Sequence, residues 1–267
     1  MLRSRKTIVR LFIVMMIFAF LSSCKDNSSG TGNPEIKERP DLLIYCGMTM
    51  ISPMMEIAKI IEQEKNCTIE FIYGGSLHLK RAIDANKQGD IYFPGDESFL
   101  ISMEKEGLIL DTVQVGYNQA AIMVQKGNPK QITNDLKNFV NPGYAVVVGA
   151  QKSGSIGRET KRIFTALDMY EQVLSNALYL TTDSKGLSKA IRNQEADLVL
   201  NWKATAFLPE NKTFIDVLPL DAHLAPRRTL VLGLLTYSKH KDLSRRFMEF
   251  SGSTQGQEIF RRYGFLD

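Results

Sequence analysis

The chain has 267 residues, 44% hydrophobic and 23% charged, with 33 lysines and arginines against 29 aspartates and glutamates. That is ordinary globular composition, enough for one large domain or two small lobes. Four of the basic residues, Arg3, Arg5, Lys6 and Arg10, precede an apolar run; without them 29 basic residues face 29 acidic ones, and no basic excess remains to hold nucleic acid.

The apolar run, Leu11 to Leu21, is too short to span a bilayer as a mature helix. It ends in Leu21-Ser22-Ser23-Cys24. The pattern resembles a bacterial lipoprotein signal over residues 1–23, with Cys24 the lipidated first residue of the mature chain. Residues 24–40 are polar, with Gly, Pro and Ser, and read as a flexible tether. The fold is therefore expected to begin near Asp41, exported and lipid-anchored at the cell envelope, where ATP and nicotinamide cofactors are not available. Cys46 and Cys67 fall at opposite ends of neighbouring strands, so two thiols are expected and not a disulfide.

From Asp41 the pattern alternates. Leu42 to Cys46 reads as a strand, and Met54, Ile57, Ala58 and Ile61 recur at helical spacing. Ile69 to Tyr73 is a second strand, and Gly74-Gly75-Ser76 turns it into a helix, with Ser76 as the expected cap. Asp90 to Phe93 and Glu97 to Glu106 repeat the unit. A long apolar run, Val113 to Gln125, can cross to a second lobe. There the alternation resumes: strand Ala145 to Val148, helix Ser155 to Leu167, strand Ala177 to Thr181, helix Ser184 to Arg192, strand Asp197 to Leu200. Thr229 to Tyr237 returns the chain, and two amphipathic helices close it. The expected fold is α/β and two-lobed, each lobe a mostly parallel sheet flanked by helices. Residues 41–118 and 231–267 make the first lobe and 119–230 the second, and the two crossing strands act as the hinge.

Ligands in open parallel sheets sit beyond the carboxyl ends of the strands. The turns there carry Thr49, Ser76, Ser153, Ser155, Thr182 and Ser184. Hydroxyls beside free helix N–H groups are neutral donors, and several converging on one point suit a small oxyanion.

The stretches LLIYCGMTMISPMMEIAKIIEQEKNCTIEFIYGGSLHLKRAI, GDIYFPGDESFLISMEKEGLI, MVQKGNP and STQGQEIFRRYGF resemble the molybdate- and tungstate-binding periplasmic proteins of ABC transporters. The resemblance runs over nearly all of Asp41 to Asp267. It implies a type II-like periplasmic binding protein, a monomer, that closes on an oxyanion and hands it to a membrane permease. It also implies a ligand set: the hydroxyls of Thr49 and Ser76, backbone N–H groups at Ile156 and Ser184, and Trp202 where the family has a tyrosine. Gly75, Ser155 and Lys152 are further candidates. Ile156 is bulkier than the family's small residue, and an indole N–H only donates where a phenol can also accept.

Other chemistries find less support. Gly149 to Ser155 has phosphate-loop glycines but lacks the Lys-Ser/Thr that must follow. No nucleophile elbow is present, and His78, His223 and His240 are scattered, so neither an enzyme, a cofactor nor a bound metal is expected. Lys152, Arg158, His78 and Lys203 read as surface charge, with Lys152 the best exception. The rival readings are a receptor for sulfate, phosphate or ferric iron, the last using Tyr45, Tyr73 and Asp183 as hard oxygen ligands, and a tethered ligand sensor.

Overall fold

A computed structural model describes residues 41–266. The expectations for the leader, Cys24 and the tether lie outside them. In chain order the elements are β1 (Leu42–Gly47), α1 (Ile51–Lys65), β2 (Ile69–Gly74), α2 (Ser76–Asn86), β3 (Ile91–Phe93), α3 (Ser98–Lys105) and β4 (Ile109–Asn118). Then follow β5 (Ala120–Gln125), β6 (Val146–Gly149), α4 (Ser155–Thr165), α5 (Tyr170–Asn176), β7 (Ala177–Thr181), α6 (Ser184–Arg192), β8 (Leu198–Trp202) and β9 (Ile215–Leu218). The chain ends in β10 (Arg228–Leu235), α7 (Lys241–Gly252) and α8 (Thr254–Arg262).

The strands form two sheets of the same design. One has the order β2-β1-β3-β10-β4 and the other β7-β6-β8-β5-β9. In each, three strands run parallel and the fourth runs against its neighbours. That odd strand is the crossing one. β5 carries the chain into the second sheet directly after β4, and β10 brings it back against β4 from Arg228 onward. The run Val113 to Gln125 is thus two strands in two sheets that change over at Gln119. A register shift near Gly116 bends β4. A Cβ on Gly116 would meet the Phe265 carbonyl at 2.9 Å, so glycine lets the C-terminal segment pack there.

Alternation along β1 explains the layering. Leu42, Ile44 and Cys46 face one core with α1, α7 and α8, while Leu43 and Tyr45 face another with α2 and α3. Both faces are covered, which is why the strand reads as a continuous apolar run. In the second lobe one core gathers Val146 to Val148, Leu198 to Leu200, Phe139 and Phe164. Cys46 and Cys67 are free thiols, and β1 and β2 are parallel as expected. Among the described residues, no helix is long and apolar enough to cross a membrane.

Candidate functional site

The carboxyl ends of both parallel strand sets open on one pocket. Its empty volume is about 240 Å³, and Thr49, Gly75, Ser76, Ser155, Ile156 and Ser184 line it together with Gly47, Met48, Gly95, Gly154 and Asp183. Residues from five turns and both lobes meet there. Thr49, Ser76, Ser155 and Ser184 are buried.

Three helices begin at this pocket, and their first residues are Ser76, Ser155 and Ser184. No side chain caps α2 or α4; the cap positions are Gly75 and Gly154. Ser76 is therefore not the cap that its sequence position suggested. It is the first helical residue, and its hydroxyl looks across the turn, where Oγ accepts from Gly95 N at 3.0 Å. α6 differs, because the Asp183 carboxylate accepts from Lys185 N and Gly186 N at 2.9 and 3.0 Å. That carboxylate is occupied by its own helix. First-turn N–H groups have no intrahelical partner and carry the positive end of the helix dipole, so three dipole ends face a pocket whose one formally charged lining residue is Asp183.

Buried groups hold these turns from behind. Tyr92 Oη donates to the Ser76 carbonyl at 2.7 Å, and burial raises that phenol well above its usual range, keeping it a neutral donor. Asn201 Nδ2 donates to the Ser184 carbonyl and to Ser188 Oγ at 3.0 and 3.1 Å. Trp202 is fully buried, and its Nε1 donates to Ser155 Oγ at 3.1 Å. The indole does not line the pocket but stands one layer back, because β8 ends at Trp202 with its side chain in the core of the second lobe. A hydroxyl that accepts from behind keeps its own proton to donate forward.

The two walls touch. Leu77 N donates to the Ser153 carbonyl at 3.2 Å, and the Arg158 guanidinium lies 4.2 Å from the Phe99 ring centre. A Cβ on Gly75 would sit 2.6 Å from the Ser153 carbonyl, and one on Gly95 would sit 2.3 Å from Ser155 Oγ. Glycine at both positions admits this close approach of the walls. Glu159 is buried and bridges Arg162 and Arg228 at 2.6 and 3.0 Å, tying α4 to the start of β10.

Several residues stand elsewhere. Lys152, Arg158 and His78 are exposed and Lys203 is half-buried; none lines the pocket. Tyr45 is buried against α2 and α3 in the first lobe and Tyr73 is exposed on β2, so the phenols of an iron site are not gathered with Asp183. Among the described residues no cluster of three His, Cys, Asp or Glu could hold a metal ion. Gly95 was not singled out from the sequence. Gly95 had a signal: Pro94-Gly95-Asp96 follows the third strand, where the other two turns already pointed.

Comparison with known proteins agrees with this architecture. A family model described as bacterial extracellular solute-binding protein matches residues 42–266. A Bacillus subtilis protein, provisionally named the ABC transporter substrate-binding lipoprotein YvgL, is 22% identical over 251 residues, 93% of this chain and 94% of that one. The sulfate-binding protein of Synechococcus elongatus is 25% identical over 289 residues, covering 94% and 79%. Among solved structures, the periplasmic molybdate-binding protein of Azotobacter vinelandii superposes with a TM-score of 0.70 at 13% identity, over 85% of this chain and 99% of that one.

Proposed function

The chain belongs to the bacterial extracellular solute-binding protein family, and from that premise we propose that it is the membrane-anchored receptor of an ABC transporter for a small tetrahedral oxyanion of the molybdate or tungstate kind. The observation that carries this reading is the meeting of three helix N-termini and the hydroxyls of Thr49, Ser76, Ser155 and Ser184 in one pocket that no lysine or arginine lines. Neutral donors and helix dipoles can hold a dianion without a counter-charge. Two of the proteins named above are a sulfate-binding and a molybdate-binding protein, and those anions share the shape and charge this site would meet.

In the proposed cycle the anion first meets one wall and the hinge then closes. Closure brings Ser155 and the start of α4 against Ser76 and the start of α2, and Gly75 and Gly95 admit the approach. Ile156 and Ser184 complete the second-lobe wall, and Trp202 acts by holding Ser155. The permease would read the closed form. Cys24 would carry the lipid, and Cys24→Ser is expected to release the protein from membranes into the soluble fraction. Titration of the purified protein with molybdate, tungstate, sulfate and phosphate, followed by thermal midpoint, tests the ligand class. A saturable rise is expected, because a ligand that binds only the native state stabilises it. A flat response to all four would remove the oxyanion reading.

A further inference from the structure

A second, larger cavity opens beside the first. Its empty volume is about 620 Å³ against 240 Å³, and the two share Met48, Thr49 and Ser184. It too lies between the lobes. Ile51, Ser52, Met55 and Tyr73 line it from the first lobe, and Arg192, Leu208 and Asn211 from the second. A bare tetrahedral ion has no use for this space.

The lining carries two polar atoms without partners. Asn211 is 3% exposed; its Nδ2 donates to the Thr205 carbonyl at 2.7 Å, yet its Oδ1 is buried with no hydrogen-bond partner. Arg192 reaches the Glu210 carbonyl through Nη1 at 3.3 Å, but its buried Nε has no partner either. A buried polar atom left unpaired is costly, and on a residue that lines a cavity it gains a partner when a small shift of the wall opens it to water or to a ligand. Oδ1 requires a donor and Nε–H requires an acceptor. A hydroxyl supplies both. Met48, Ile51, Met55 and Leu208 add an apolar wall suited to a short carbon chain.

We infer that the two cavities form one composite site, in which the oxyanion group of a small organic phosphate or sulfate monoester sits among the helix N-termini and its hydroxyl-bearing substituent fills the space beside Asn211 and Arg192. The inference rests on the oxyanion reading above and deepens it from an ion to an ester. Thr49 and Ser184, shared by both cavities, would lie at the ester junction.

The test compares inorganic phosphate, methyl phosphate and glycerol 1-phosphate, with molybdate and sulfate as bare-ion controls, by calorimetric titration of the purified protein. Glycerol 1-phosphate is expected to bind at least tenfold more tightly than methyl phosphate or inorganic phosphate. Asn211→Ala should remove most of that advantage while changing inorganic anion affinity less than threefold. Ser52→Phe, which fills the cavity from α1 without touching the Asn211 bond to Thr205, should do the same and guards against a folding defect in the first variant. If molybdate, sulfate or phosphate binds but the glycerol ester binds no better, or the variants weaken all ligands equally, the composite site is wrong and the oxyanion reading stands. If no anion and no ester binds, both fall.

Discussion

Trp202 Nε1 donates to Ser155 Oγ at 3.1 Å from a fully buried indole, so the protein's one tryptophan touches the pocket only through a serine. The ring sets which way the hydroxyl can donate. Because indole cannot accept, the bond has one polarity, and the Ser155 proton is left free to donate elsewhere. Trp202→Phe keeps an aromatic ring, removes the donor and leaves a small cavity in the core. It should weaken anion binding by about 1 kcal/mol, the net worth of a typical hydrogen bond, and lower thermal stability by the cost of that cavity. Calorimetry and a melting curve on the same variant check both halves; unchanged affinity would mean that Ser155 needs no orientation.

Ser76 is more exposed to test. Its Oγ accepts from Gly95 N and its backbone opens α2. Ser76→Ala removes a forward donor and strands the Gly95 N–H. The expected cost to anion binding is about 1–3 kcal/mol, or roughly 5- to 150-fold in Kd. Equal affinity in the variant would move the ligand away from the first-lobe wall.

Closure can be blocked without deleting any of the hydroxyl donors. A Cβ on Gly95 would meet Ser155 Oγ at 2.3 Å across the cleft. Gly95→Ala should therefore fold normally but hold the lobes apart, lowering affinity by at least about tenfold as the closed state loses population. Solution scattering should show that the anion compacts the wild type and leaves the variant extended. Equal compaction in both would show that the lobes close by another path.

These relationships mark what sequence reading reaches. Strands β1, β2 and β7 and helices α4 and α6 were legible because apolar period and glycine punctuation agree there. The turns carrying Thr49, Ser76, Ser155 and Ser184 followed from topology, because parallel strands direct their carboxyl ends to one side. What failed was depth. Nothing in Asn201-Trp202-Lys203 tells which side chain reaches the cleft and which stands behind it; that depends on β8 ending between β6 and β5. The capping role expected of Ser76 passed to Gly75 because the tertiary contact with Gly95 claims the hydroxyl. Short α5 and β9 escaped notice because four to seven residues give too little periodicity to outweigh their loops.

The ion group that ties α4 to the start of β10 contributes to stability. Glu159 is buried between two arginines that are themselves partly exposed, so solvent relieves part of the cost of losing it. Glu159→Ala should destabilise the protein by about 2–3 kcal/mol, below the full penalty for breaking a buried pair. A denaturant midpoint that does not move would show that the arginines are fully rescued by water.

Acid sensitivity has a separate origin. Arg246 donates twice to Glu64, with help from Lys65, and holds that carboxyl down to about 2. A depressed folded pKa adds stability that is complete above the ordinary glutamate range and is lost as pH falls from about 4.5 toward 2. Glu64→Gln should flatten the melting temperature across that window and leave the neutral region nearly unchanged. An acid limb of the same slope in both proteins would assign the effect to other carboxylates.

The central claim is that donors from both lobes hold one oxyanion in a closed cleft, and the most direct measurement is a calorimetric titration of the wild type, Ser76→Ala and Ser155→Ala with the best of the four anions. Saturable one-to-one binding in the wild type, weakened in both variants, is the predicted result. Binding that survives both substitutions at full strength would contradict the account, because the ligand would then lie outside the pocket that the two serines share.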